Sequence, residues 1–185
     1  MSSIALGMFS DVVSSLESGD KTNLETIVNR DAEINRQYFL LVRLIRSTIM
    51  DARLANIFNL ENIDILDYRI AANTLEIAGD TVVELSQSLI KSNLSKVELK
   101  KLHDFAKDME EIQIKSIDSF ISNNRTLAID AIRLQRNNAT KISKIRSSLE
   151  SKKQISLAFF DLIYMFEKVL QSWSDIADLV KPSYK

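Results

Sequence analysis

The chain of 185 residues contains no cysteine, three glycines, one proline and one histidine. Without cysteine there can be no disulfide, thiol nucleophile or thiolate metal site. With His103 as the only imidazole, an HExxH zinc site, a facial triad with two histidines and the histidine-containing di-iron motifs of four-helix proteins are also excluded. Gly7, Gly19, Gly79 and Pro182 are too few to build the turns of a sheet protein. The expected class is therefore all-α. No apolar run is long enough to span a bilayer: the longest, 38–45, is interrupted by Arg43, whereas a span needs roughly 20 apolar residues. The first ten residues lack the basic start and apolar stretch of a signal peptide, so a cytoplasmic protein is expected. The formal charge of −1 provides no global attraction to nucleic acid or acidic lipid.

What is present is helical periodicity. Apolar spacing and end signals predict six helical segments, at about 3–17, 22–50, 62–91, 95–122, 126–150 and 153–180. Thr22-Asn23-Leu24-Glu25 and Ser95-Lys96-Val97-Glu98 have the form of capping boxes, in which a hydroxyl and a carboxylate satisfy free backbone donors at a helix start. Residues 51–61 read as a short helical or irregular connector, and Pro182 lies beyond the last helix.

Two three-helix copies, 1–94 and 95–185, form the natural grouping within one compact domain. Matching Leu16-Glu17-Ser18 with Phe120-Ile121-Ser122 gives an offset of 104, and matching Glu76 with Glu167 gives 91. The difference, 13, is about the length of the connector that only the first copy carries. One duplication with one insertion accounts for both offsets.

The most informative stretch is Leu75-Glu76-Ile77-Ala78-Gly79-Asp80, which places two carboxylates one turn apart around a mid-helix glycine. Glycine inside a helix costs roughly 1 kcal/mol relative to alanine. Close approach of a crossing helix is the commoner cause, and a ligand the other. On the second predicted helix, Leu24, Ile27, Ile34, Tyr38, Leu41, Val42, Ile45 and Ile49 form an apolar stripe that also contains Asp31, with Asn35 at its edge. An acid on such a seam is costly unless it meets a cation, a donor or water; an arginine partner or a wet seam would account for it without any ligand. On the third helix Ile63, Leu66, Ile70, Ala71, Ile77, Val82 and Leu85 make a broad apolar side, opposite an arc of Arg69, Asn73, Glu76, Asp80 and Gln87. Asp31, Asn35, Glu76 and Asp80 together would offer oxygen ligands only, a set suited to hard cations such as ferric iron, magnesium, manganese or calcium.

Asp31-Ala32-Glu33-Ile34-Asn35 and Glu76-Ile77-Ala78-Gly79-Asp80 resemble, respectively, the D-x-x-x-D and E-R-I-G-D signatures of the phosphate-uptake regulator (PhoU) family. That family is built from repeats of three long helices. The segments 35–49 and 66–69 are similar to archaeal members, in which an AbrB-like DNA-binding domain often precedes the helices; no such domain is expected here. The resemblance implies a non-catalytic regulator of phosphate uptake that contacts a transporter component or signalling protein. It also implies a metal site, often iron or zinc in the family, at Asp31, Glu76 and Asp80 with Asn35 as a weaker ligand. The arginine of the second signature is replaced by Ile77. In the second copy Gln135, Ala139 and Gln171 fall where Asp31, Asn35 and Asp80 stand, leaving Glu167 alone, so at most one site per chain is expected.

Other surfaces support alternatives. Arg133, Arg136, Lys141 and Lys144 share one arc of the fifth helix, which has no acid between Ala131 and Leu149 and is followed by Lys152 and Lys153. Such a stripe could serve a nucleic-acid-associated transcription regulator, or simply be solvated. Phe159, Phe160, Tyr164, Phe166 and Trp173 either fill the core or provide a dimer surface containing Trp173. A metal-free helical scaffold that dimerises is the third reading. His103, beside Lys100, Lys101 and Asp104, reads as a surface residue.

Overall fold

The structure is a computed structural model that describes residues 1–150 and 156–180. Lys152, Lys153, Pro182 and the expected first residues of the last helix lie outside the described residues. The described chain is all-α, with seven helices: α1 (Ser2–Ser18), α2 (Leu24–Met50), α3 (Ala52–Ile57), α4 (Asn62–Lys91), α5 (Lys96–Ser122), α6 (Arg125–Glu150) and α7 (Leu157–Ala177). The six long helices are those expected, and α3 is the connector.

Helix ends follow local chemistry. Gly19, at φ 76°, closes α1 in the left-handed conformation that lets its N–H reach Ser15 O. Ser95 and Glu98 form the expected reciprocal capping box at the start of α5. The box expected at Thr22 does not form. Asp20 Oδ1 takes both the N–H and the hydroxyl of Thr22, and Asn23 becomes an N-cap without a side-chain bond. A second box, between Glu61 and Asp64 at the start of α4, carries no Ser or Thr and is easily missed in sequence. Lys21 Nζ donates to the carbonyls of Ile90 and Ser92 at 3.1 and 2.7 Å, tying the turn before α2 to the end of α4.

In the first half α1, α2 and α4 pack on one another, and in the second half α5, α6 and α7 do the same; the halves join through α4 on α7 and α1 on α5. One core runs through both, with Met8, Phe9 and Val12 of α1 meeting Val82 and Leu85 of α4, Met109 of α5, and Phe166 and Trp173 of α7. Phe9 forms T-shaped pairs with both Phe166 and Trp173, at centroid distances of 5.9 and 4.7 Å. Trp173 is wholly buried, so the dimer surface containing it is excluded and its role is core filling. Phe159 and Phe166 are buried with it, whereas Phe160 and Tyr164 reach solvent.

The expected apolar side of α4 needs correction. Ala71, Val82 and Leu85 are buried, but Ile63, Leu66, Ile70 and Ile77 are exposed. The residues actually buried include Ile65, Ala72, Leu75, Ala78 and Leu89. The reason is that α4 contacts α1, α2 and α7 at once and turns Asn73 of its polar arc toward Tyr38 of α2, while Ile63, Leu66, Ile70 and Ile77 stay exposed. Ile49 of the α2 stripe is likewise exposed, while Leu24, Ile27, Ile34 and Ile45 are buried.

Candidate functional site: an acidic seam between α2 and α4

The seam begins at a tight contact between α2 and α4. A Cβ built on Gly79 would sit 2.9 Å from Ile34 Cδ1 and 3.5 Å from Cγ2, and Ile34 is buried. Gly79 therefore lets α2 press its isoleucine onto the α4 backbone. Helix packing, the commoner of the two expected causes, accounts for this glycine.

The same crossing gathers the acids, because Asp31 and Asn35 flank Ile34 on α2 while Glu76 and Asp80 flank Gly79 on α4. Asp80 comes within hydrogen-bonding reach of Asp31. Two facing carboxylates can share a proton but cannot both be charged without repulsion. The carboxyl of Glu76 is held above its ordinary range, first by partial burial and then by the charges of Asp80 and Asp31, with Arg69 pulling the other way. Asp80 is raised by partial burial and by the charge of the nearby Asp31 carboxylate, and is offset by Lys168 from α7. As a residue Asp80 is exposed, and the solvent screens these repulsions.

Asp31 has no arginine partner among the described residues. Its Oδ2 accepts from Asn35 Nδ2 at 3.0 Å, and its Oδ1 is buried without a hydrogen-bond partner. Asn35 therefore acts here as a donor that orients Asp31. A buried acceptor left unsatisfied costs about 1–3 kcal/mol, so this oxygen is the most costly atom of the seam. Beyond the acids the seam stays polar: Tyr38 OH donates to Asn73 at 3.3 Å, and the Arg69 guanidinium lies over the Tyr38 ring at 5.3 Å. Arg69 and Asn73 share the polar arc of Glu76 and Asp80 as the sequence predicts, whereas Lys168 was not expected in this neighbourhood. No sequence signal places Lys168 there, because it arrives on a helix from the other half.

The donor chemistry suits a hard cation, with three carboxylates of which one, Asp31, has an unsatisfied buried oxygen. The separations do not yet form a site: among the described residues no group of three or more His, Cys, Asp and Glu is placed to hold a metal ion. A cation would have to draw the side chains of Glu76 and Asp80 inward.

The corresponding face of α6 and α7 is chemically closed. Gln135 donates to Gln171 at 3.4 Å, and Gln171 to Asp175 at 2.6 Å. Glu167 is paired with Arg146, which also lies 5.5 Å from the Phe160 ring centroid.

The basic stripe on α6 is diluted by acids from other positions. Arg133 pairs with Asp130 at 2.9 Å, and Lys141 with Asp108 of α5. Arg136 and Lys144 are exposed with no acidic partner among the described residues. His103 is partly exposed and lies 3.8 Å from Asp104.

These features define a class: an all-α protein of long antiparallel helices whose first half carries a paired acidic seam. Residues 1–89 match the PhoU domain model, a span running from α1 almost to the end of α4 and covering somewhat less than half of the chain. A comparison with curated proteins finds no match. No helix among the described residues is long and apolar enough to cross a membrane.

Proposed function

We propose that the chain is a PhoU-like, non-catalytic regulator of phosphate uptake, a cytoplasmic helical adaptor that engages a transporter component or signalling protein. The observation that carries this reading is the PhoU domain match over residues 1–89, with the acids of both signature positions, Asp31 and Glu76 with Asp80, gathered at one helix crossing. On this reading 1–94 and 95–185 are two copies of one unit, and only the first keeps an acidic seam. The affinity to archaeal members belongs to the same proposal.

Asp31, Glu76 and Asp80 are the proposed ligands of an iron, zinc, magnesium, manganese or calcium ion, with Asn35 orienting Asp31. When bound, the ion would neutralise the seam and present positive charge at the surface. The chain's own contribution is to fix Asp31 beside the Ile34–Gly79 contact and to keep Glu76 and Asp80 close enough for their charges to act on it. The Arg146–Glu167 pair and the Gln135–Gln171 contact support one site per chain.

The test is genetic and analytical. In the source organism, loss of this chain should change inorganic phosphate uptake between phosphate-limited and phosphate-replete growth. Uptake that responds normally without the chain would overturn the regulatory reading. Elemental analysis of protein purified without chelators, beside an Asp31→Ala, Glu76→Ala variant, tests the cation separately. Equal metal content in the two, or none in the wild type, would remove the metal and leave the regulator.

The second reading, binding of nucleic acid by α6, is weakened by the pairing of Arg133 and Lys141 with acids. Duplex binding that weakens steeply with salt would restore it.

A further inference from the structure

The three helices that enclose α1 continue past its N-terminus. α1 has 17 residues, whereas α2 has 27 and α4 has 30. The α1 N-terminus reaches Gln37 of α2, and Gln113 of α5 donates to Ser2 O. Beyond that level α2 runs on from Tyr38 to Met50, about 20 Å at 1.5 Å per residue. The result is an open groove of about 960 Å³, closed at one end by Met1 and Ser2. Ala71, Ala72 and Leu75 of α4 lie along it, between Phe39, Leu40 and Leu44 of α2 and Ile117, Phe120 and Ile121 of α5. Phe39, Leu40 and Ile121 are 57%, 66% and 68% exposed. The lower part of this slot is filled by a helix that packs Ala5, Met8, Phe9 and Val12 inward, so the upper part, with its apolar lining, continues a slot that already seats a helix.

Charge selects the occupant. Arg36 and Arg43 stand on the α2 side of the groove, and α2 carries no acid from Asn35 to Met50. Arg36 is paired with Glu33, but Arg43 has no acidic partner among the described residues, nor has Arg46 further along the helix. The geometry points to a docking site for an amphipathic helix of a partner protein, with small and apolar residues toward α4 and acidic residues beside α2. Two-fold pairing with a second copy through this face would bring arginines of α2 toward each other. A planar bilayer could not reach a floor recessed between α2 and α5. The inference names the contact surface of the proposed adaptor and rests on that reading for its role, but uses none of the seam acids.

The probe is a synthetic helical peptide of about four turns, with alanine, methionine, phenylalanine and valine at the spacing of Ala5, Met8, Phe9 and Val12, and glutamates on its flanks. Binding to the full chain is read by fluorescence anisotropy, beside the same peptide with lysines for the glutamates. The acidic peptide is expected to bind at least roughly tenfold tighter, and Arg43→Glu to reverse that order. Leu40→Asp, at an exposed position whose fold is checked by circular dichroism, should cost at least about tenfold in affinity. The Asp31→Ala, Glu76→Ala variant should bind the peptide like the wild type, so a failed phosphate response with intact peptide binding refutes only the regulatory reading. Absent binding, or equal binding of both peptides, would overturn the docking site. So would self-association that Leu40→Asp abolishes, or Arg43-dependent binding to phosphatidylcholine–phosphatidylglycerol vesicles without peptide binding.

Discussion

Replacing Asp31 by asparagine should make the metal-free protein more stable at neutral pH, although it removes a residue of the candidate site. Three contributions act in the same direction. The charge of Asp31 repels those of Asp80 and Glu76, and each screened pair at this degree of exposure is worth about 0.5 kcal/mol. The buried Oδ1 of Asp31 lacks a donor, whereas an asparagine can point its amide N–H at Asp80, adding about 1 kcal/mol. The bond from Asn35 survives, because the asparagine carbonyl still accepts. The expected gain is about 1–2 kcal/mol, or roughly 3–6 °C in Tm for a chain of this size. Because Glu76 and Asp80 have pKa values raised above the unfolded state, the repulsion is present at neutral pH and disappears as the pH falls through those raised values. The advantage of Asp31→Asn should therefore shrink on acidification through the carboxylate range. Urea melts in chelator at a series of pH values measure this. A variant less stable than the wild type at pH 7, or one whose advantage is undiminished at the acid end, would refute the account of the seam. Adding a bound cation should reverse the order, since the ligand stabilises only the protein that binds it.

Two further outcomes follow from particular contacts. Ile34→Val deletes the Cδ1 that lies 2.9 Å from a Cβ at position 79, so Ile34→Val and Gly79→Ala together should be at least about 0.5 kcal/mol more stable than the sum of the single changes predicts; additive effects in thermal melts would mean that the helices are not in contact there. Arg146→Ala leaves Glu167, whose carboxyl burial already pushes up, without its cation. It should cost about 1 kcal/mol at pH 7 and less once Glu167 is protonated, and a cost that is constant across that range would argue against the pair.

Helix positions were legible in the sequence because periodicity and end chemistry are local. Ser95 and Glu98 lie three residues apart and need nothing else to close a cap. The box at Thr22 was misread because Asp20, two residues earlier, competes for the same hydroxyl and amide. The burial pattern of α4 was only partly legible: a helix touching three neighbours has no single apolar side, and Ile63, Leu66 and Ile70 look like core until the partners are placed. The acids at positions 31, 76 and 80 were visible, but not the approach of Lys168 or of Asp31 to Asp80.

By itself, then, the sequence determined an all-α chain, its six long helices and the chemical type of the acidic residues, since composition and spacing along a helix are properties of the chain alone. Only the tertiary structure decided what those residues meet. It set Gly79 against Ile34, drew the acids to one crossing, and closed the matching face of α6 and α7 with Arg146 and two glutamines. It also left the upper halves of α2 and α4 without the helix that covers their lower halves. Those outcomes depend on helix length, crossing point and rotation, which are fixed by packing between distant segments.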